Sequence, residues 1–162
     1  MKMRSMMMVF CLVAAGPSVS AASPELEVAY PEGYRHWYHV KSMVIAPGHA
    51  LAEPFQGIHH VYANEAALRG LRTGDYAPGA VLVFDLLEYV ERDHALYEGE
   101  RRLIGVMERD PARFAKTGGW GFEGFAGAGL ATRLTQDGGQ SCFACHQPRQ
   151  AEGYVFSELR DR

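Results

Sequence analysis

Apolar and polar residues alternate in several stretches of the chain, and this period of two is typical of β-strands. The alternation predicts strands over residues 37–45 and 58–63. The strongest signal comes from residues 79–91, which are β-branched, apolar on both faces at the start and alternating later. Residues 101–110 are the predicted hairpin partner of that strand, across the loop RDHALYEGE. Residues 117–127 alternate glycine with aromatic residues and predict another strand or an extended loop.

Helix signals are short and lie between the predicted strands. Asn64 is a good N-cap and Gly74 a good stop, so a helix is predicted between them. Asp110 followed by Pro111 predicts a second short helix over residues 111–116. The order of elements indicates an α+β fold. We expect a mainly antiparallel sheet of about four or five strands, short flanking helices and a C-terminal helix.

The N-terminus has the three-part layout of a secretory signal peptide. A basic start is followed by an apolar run of about a dozen residues and then by small residues, with a cleavage site predicted after Ala21 or Ala22. The alternative is an uncleaved anchor or a first helix, although the run is short for a membrane span. We therefore predict a signal peptide over residues 1–21, a single domain over residues 22–162 and a periplasmic location.

The charge of the predicted mature chain restricts its partners. Loss of Lys2 and Arg4 with the signal peptide would change the net charge from −3 to −5. A mildly acidic surface argues against nucleic acid and anionic membranes as partners. Beyond residue 21 no apolar run approaches 18 residues, so we expect no membrane contact after cleavage.

The stretch SCFACHQPR near the C-terminus carries the clearest chemistry. Cys142 and Cys145 are two of the three cysteines of the chain, and His146 follows directly. In this motif each thiol adds across one haem vinyl group, and the histidine offers a nitrogen to the iron. The sequence therefore predicts one covalent haem c, with His146 as the iron ligand. A redox C-x-x-C would need a thioredoxin-like context, and a zinc site would need further ligands; the sequence offers neither.

The other side of the iron decides the function. An electron carrier fills this position with methionine or histidine, whereas a ligand-binding protein leaves it open. An open site would be lined by aromatic side chains. The residues that could fill the position are Met43, Met107, His39, His59 and His60.

Seven segments in this order resemble the cytochrome P-460 family and its structural kin, the cytochromes c′-β. They are YRHWYHVKSMVI, GIHHVYANEAAL, GAVLVFDLLE, GVMERD, TGGWGFEGFAG, CFACH and YVFSELR. The resemblance implies a β-rich homodimer with one haem c, histidine on one side of the iron and a small-molecule site on the other. Members with the defining chemistry oxidise hydroxylamine and join a lysine covalently to the haem. The c′-β members lack that bond and bind nitric oxide or carbon monoxide in an apolar pocket.

Lysine is scarce after residue 21, where only Lys41 and Lys116 occur. The strand VLVFDLLE, on which we would expect the cross-linking lysine, has none. Lys41 lies on the neighbouring predicted strand, on the same side as His39 and Met43, and is the candidate for a cross-link. Without a lysine on its strand, Phe84 becomes a candidate for capping the open side of the haem, with Phe55 and Phe122 as competitors.

Hydroxylamine oxidation releases protons and would need a base near the substrate. Glu123 and Asp85 are carboxylates in apolar stretches, where a carboxyl group is expected to have a raised pKa, and both are candidate proton acceptors. The alternative for each is a structural carboxylate bound to the backbone.

Flat and cationic side chains complete the predicted haem surroundings. Trp120 is expected to pack on or near the haem ring, since a flat apolar disc needs flat cover. Arg101, Arg102 and Arg133 are candidates for pairing with the haem propionates.

Three functions remain open from the sequence, besides the peroxidase activity that any open haem shows to some extent. The first is a five-coordinate haem protein that binds nitric oxide or similar small nitrogen oxides. The second is an enzyme that oxidises hydroxylamine through a lysine-modified haem. The third is a simple electron-transfer cytochrome c. Each would work with a redox partner protein such as another cytochrome, and the missing strand lysine favours the first.

Overall fold

The computed structural model describes residues 27–127 and 132–160. The predicted signal peptide, residues 1–21, lies outside the described residues. Five strands form one antiparallel sheet in chain order: β1 Tyr38–Ile45, β2 Gly57–Ala63, β3 Val81–Arg92, β4 Ala95–Arg109 and β5 Trp120–Ala126. The α-helices are α1 Ala52–Phe55, α2 Glu65–Thr73 and α3 Gln140–His146, and 3-10 helices cover Tyr34–His36, Ala115–Thr117 and Gln147–Glu152. The predicted α+β fold is confirmed.

The hairpin of β3 and β4 is longer than the sequence indicates. The predicted loop over residues 92–100 is wrong, because the chain turns back within Asp93 and His94 and pairs Arg92 with Ala95. Both turn residues have positive φ, 50° and 61°. A two-residue turn of this kind matches the twist of the flanking strands. The usual Asn-Gly signal is absent, so the turn could not be predicted from the sequence.

Helix α2 is confirmed where its caps predict it. The Asn64 side chain accepts a hydrogen bond from the Ala67 amide at 2.9 Å, and Gly74 ends the helix with φ 78°. The helix predicted over residues 111–116 is wrong. Asp110 does cap a turn, since its carboxylate accepts from the amides of Ala112 and Arg113, but only a 3-10 helix follows, over Ala115–Thr117. Gly118 and Gly119 then have φ of 65° and 83° and lead the chain into β5.

A β-bulge in β1 changes which face of the sheet some of its side chains point to. The register shifts between His39 and Lys41, so these two residues do not share a side as strict alternation predicts. His39 instead points to the same face of the sheet as Ser42, and its Nε2 lies 2.9 Å from the Ser42 hydroxyl. Lys41 keeps its place opposite Val61 of β2.

The two faces of the sheet carry separate apolar cores, because successive side chains of a strand point to opposite sides. We call the face that packs against α2 and α3 the α3 face; its core includes Val61, Ala63, Leu82, Trp120 and Phe122. The other, which we call the N-terminal face, packs under residues 28–37 and includes Val83, Ile104, Val106 and Phe125. In the described part of the chain no helix is both long and apolar enough to span a bilayer.

Candidate haem site

Helix α3 presents both cysteines and the histidine of the motif. The Asp137 carboxylate holds the start of the helix by accepting hydrogen bonds from the amides of Gly139 and Ser141, at 3.0 and 2.8 Å. Cys142 is half-buried against the α3-face core, where burial raises its pKa, and Cys145 is exposed. Residues three apart on a helix lie on one side, so the two thiols are neighbours.

His146 is held in one orientation and one tautomer. Its Nδ1 lies 2.7 Å from the backbone carbonyl oxygen of Tyr154. A carbonyl can only accept, so Nδ1 carries the hydrogen and Nε2 keeps its lone pair. Burial lowers the pKa of His146, against the opposing effect of the Tyr154 hydrogen bond, and this favours the neutral ring. A neutral imidazole with a fixed tautomer is the form that binds iron.

A tight turn after α3 brings the Tyr154 carbonyl to His146. Gly153 and Tyr154 both have positive φ, 67° and 68°, and the Tyr154 amide donates to the Arg149 carbonyl at 2.7 Å. Gly118 makes room for this turn, because a Cβ there would lie 2.7 Å from the Tyr154 ring. The residue that accepts from His146 is not identified in the sequence analysis above; Gly153 after a helical stretch is the signal that points to such a turn.

Aromatic rings surround the His146 imidazole. The rings of Phe122 and Phe156 each lie 4.9 Å from it, between centroids. Phe156 is 51 % exposed, and Phe84 and Met107 on the α3 face are half-buried. Gly105 lies opposite Phe84 in the next strand and leaves the surface beside that ring without a side chain. This arrangement of two thiols, one imidazole and partly uncovered apolar surface fits haem c.

Phe84, the predicted cap, lies on the α3 face among other rings. Its centroid is 5.9 Å from Phe55 of α1 and 4.4 Å from His59 of β2. The competitor Phe122 lies beside His146 instead. Among the described ring contacts, Phe122 is therefore the one of the three next to His146, whereas Phe84 and Phe55 contact each other.

Lys41 and Trp120 also belong to the α3 face. Lys41 is half-buried and pairs with Val61, which pairs with Phe84. Trp120 is fully buried, and its ring contacts Tyr76 at 5.3 Å. The haem contacts expected of both residues stay predictions.

Asp85 lies on the N-terminal face, away from His146. It is fully buried and accepts hydrogen bonds from the Tyr34 hydroxyl at 2.6 Å and from Arg101 Nε at 2.7 Å. Burial alone would raise the pKa of Asp85, but these hydrogen bonds together hold it below its ordinary value. The expected raised pKa is therefore wrong for Asp85.

Glu123 lies on the same N-terminal face as Asp85. Its carboxylate is 2.8 Å from Arg133 Nη1 and accepts from the amides of Gly124 and Thr135, at 2.8 and 3.1 Å. The structure does not bring Glu123 or Asp85 together with His146, and their role as proton acceptors stays a prediction. Strand alternation predicts this separation for Asp85, because Asp85 directly follows Phe84 and must point to the opposite face of the sheet.

The cationic candidates for the haem propionates have other partners. Arg101 and Arg133 lie beside the buried carboxylates of Asp85 and Glu123. Arg102 donates to the Gln56 carbonyl at 2.6 Å. Their pairing with propionates stays a prediction that these contacts do not support.

The candidate sixth ligands divide between the two faces. His39 and His60 lie on the N-terminal face, where both rings contact the Ser42 hydroxyl and His60 also contacts Glu98. Met43, His59 and Met107 lie on the α3 face. Met107 pairs with Phe122, beside His146, whereas His59 contacts Phe84.

A comparison with protein families matched most of the chain. A family model described as Cytochrome P460 matches residues 31–157 of this chain. The matched range covers all five strands and α3, and therefore most of the chain. A search of the curated proteins found no match.

Proposed function

Because the chain belongs to the Cytochrome P460 family and is therefore a haem-binding cytochrome, we propose that it carries one haem c on Cys142 and Cys145, with iron bound to His146. Each thiol would add its S–H across a haem vinyl group, forming one thioether bond. The observation that carries this proposal is the hydrogen bond from His146 Nδ1 to the Tyr154 carbonyl, 2.7 Å long, on the helix that holds both thiols. Bound there, the haem iron would supply a site for a small ligand.

The proposed function is the binding of nitric oxide or a similar small nitrogen oxide at a five-coordinate iron. The support is the aromatic character of the α3 face at Phe84, whose ring contacts Phe55. An apolar ligand site would favour small neutral ligands over charged ones, because a charged ligand loses its hydration there. In this proposal Phe84 would limit the space left for that ligand.

One optical experiment tests this function. The reduced, purified holoprotein is expected to show a five-coordinate high-spin haem spectrum that changes when nitric oxide is added. A six-coordinate low-spin spectrum would contradict an open site and indicate an electron-transfer cytochrome. The matched control is His146→Ala, in which both thiols remain but the ligand to iron is removed.

A second candidate function is hydroxylamine oxidation through a lysine-modified haem, with electrons passed to a redox partner such as another cytochrome. The observation that favours it is the half-buried position of Lys41 on the same face as Phe84. Mass spectrometry of the haem peptide distinguishes the two. A cross-link would add Lys41 to that peptide and shift the Soret band to the red, and Lys41→Ala would abolish both signs.

We also propose that the mature protein is periplasmic and dimeric. Cleavage after residue 21 would leave residues 22–162, and N-terminal sequencing of the purified protein tests this boundary. For the dimer, the support is a pair of exposed apolar residues that face the same side at the far end of the β3–β4 hairpin: Val90 and Tyr97. Two copies are expected in sedimentation analysis, and Val90→Glu is expected to separate them.

A further inference from the structure

His59 is a buried histidine with an unpartnered ring nitrogen on the α3 face. It is 3 % exposed, and its ring lies 4.4 Å from Phe84. Its Nδ1 has no hydrogen-bonding partner among the described residues. Buried polar atoms normally have a partner, and leaving one without a partner destabilises the fold.

The neighbouring histidine makes the contrast clear. His60 faces the other side of β2, where its Nδ1 lies 2.6 Å from the Ser42 hydroxyl and its Nε2 lies 2.7 Å from Glu98. The more accessible imidazole therefore has partners on both nitrogens, while the buried one lacks a partner on Nδ1. The unpartnered nitrogen of His59 indicates a partner that does not belong to the described chain.

The charge state of His59 limits what that partner can be. Burial lowers the pKa of His59 to about 4, with smaller contributions in the same direction from the charges of Lys41 and His60. At neutral pH the ring is therefore uncharged, with one N–H donor and one acceptor. Such a ring suits a small neutral or weakly polarised ligand, and it does not attract an anion by charge.

We infer that His59 is the polar group of the ligand pocket and donates a hydrogen bond to nitric oxide held on the open side of the haem. This inference rests on the proposed function and adds a residue that selects the ligand. Hydrogen-bond donors in a haem pocket decide which diatomic ligand is favoured. Nitric oxide bound to reduced haem carries more negative charge on its outer atom than carbon monoxide does, so His59 favours nitric oxide over carbon monoxide.

The test replaces His59 in the holoprotein and measures ligand release and stability together. For His59→Leu we expect nitric oxide to dissociate about threefold to tenfold faster, the range for loss of one hydrogen bond. Carbon monoxide release should change less, and the N–O stretching frequency should rise. His59→Leu should also be at least as stable to heat as the wild type, because an unpartnered buried nitrogen is removed.

Two further variants serve as controls. His59→Gln keeps an N–H donor and should recover part of the slow nitric oxide release. Leu86→Met changes the apolar residue that pairs with His59 on β3, and it should leave release rates and the N–O frequency unchanged.

Each contrary result has a distinct meaning. An unchanged release rate and N–O frequency in His59→Leu would overturn the inference and leave the proposed open site intact. A low-spin wild-type spectrum that becomes high-spin in His59→Leu would make His59 an iron ligand and overturn both. Loss of folding in His59→Leu would show that the ring is structural, which also overturns the inference.

Discussion

Replacing Asp85 by asparagine separates a structural carboxylate from a catalytic one. Asp85 is fully buried and accepts hydrogen bonds from the Tyr34 hydroxyl and from two nitrogens of Arg101, at 2.7 and 3.3 Å. The Arg101 side chain is only 18 % exposed, so removal of its counter-charge leaves a largely desolvated cation without compensation. Arg35 also contacts Asp85, but its side chain is 52 % exposed and solvent weakens that pair.

We expect Asp85→Asn to lose about 3 kcal/mol in the free energy of unfolding, the lower end of the range for breaking a buried ion pair. For a domain of this size such a loss lowers the melting temperature by about 10 °C. Ligand binding per folded haem should stay unchanged, because Asp85 and His146 lie on opposite faces of the sheet.

The effect should depend on pH in a defined direction. The folded-state pKa of Asp85 lies below the ordinary value of 3.8, so the carboxylate stabilises the fold at pH above that value. This contribution is lost as pH falls through the folded pKa, where the native carboxylate becomes protonated. The wild type should therefore approach the stability of Asp85→Asn in acid, and the two should differ fully at neutral pH.

Thermal unfolding followed by circular dichroism, between pH 3 and pH 7, measures this difference. Asp75→Asn is the matched control, because Asp75 is exposed and should change stability little. The reasoning is refuted if Asp85→Asn melts with the wild type at neutral pH. It is equally refuted if the variant keeps its stability but loses ligand chemistry, which would restore Asp85 as a proton acceptor.

Two further predictions concern Gly118 and Asn64. Gly118→Ala should lower stability by about 1–3 kcal/mol, through positive φ and contact with the Tyr154 ring, and should shift the haem reduction potential in a potentiometric titration. Gly33→Ala is the control, because Gly33 has a similar φ of 70° but an added Cβ there would have no atom within 4 Å. A shift of the reduction potential in Gly33→Ala would contradict this explanation. Asn64→Ala should lose about 2–3 kcal/mol in denaturant unfolding, since Asn64 caps α2 and also bonds Val81 and Gly79. Asn64→Asp keeps the acceptor and should lose less; equal losses would contradict the capping argument.

The cofactor and the order of elements could be predicted from the sequence. The Cys142–His146 motif is five consecutive residues, so its chemistry depends on local spacing along one helix. The strands and the ends of α2 were predictable for the same reason, because alternation and caps act over a few residues. The β3–β4 turn was not, because Asp93 and His94 adopt positive φ without the usual turn residues.

The surroundings of the site depended on tertiary structure. Whether Asp85 meets the haem or Arg101 depends on which face of the sheet α3 covers, and the sequence does not state this. The same choice buries His59 beside Phe84 and leaves His60 with Ser42 and Glu98. The Tyr154 carbonyl reaches His146 only because the chain turns back after α3. Residue types and spacing therefore predict the cofactor, whereas the neighbours of each side chain are set by packing between segments far apart in sequence.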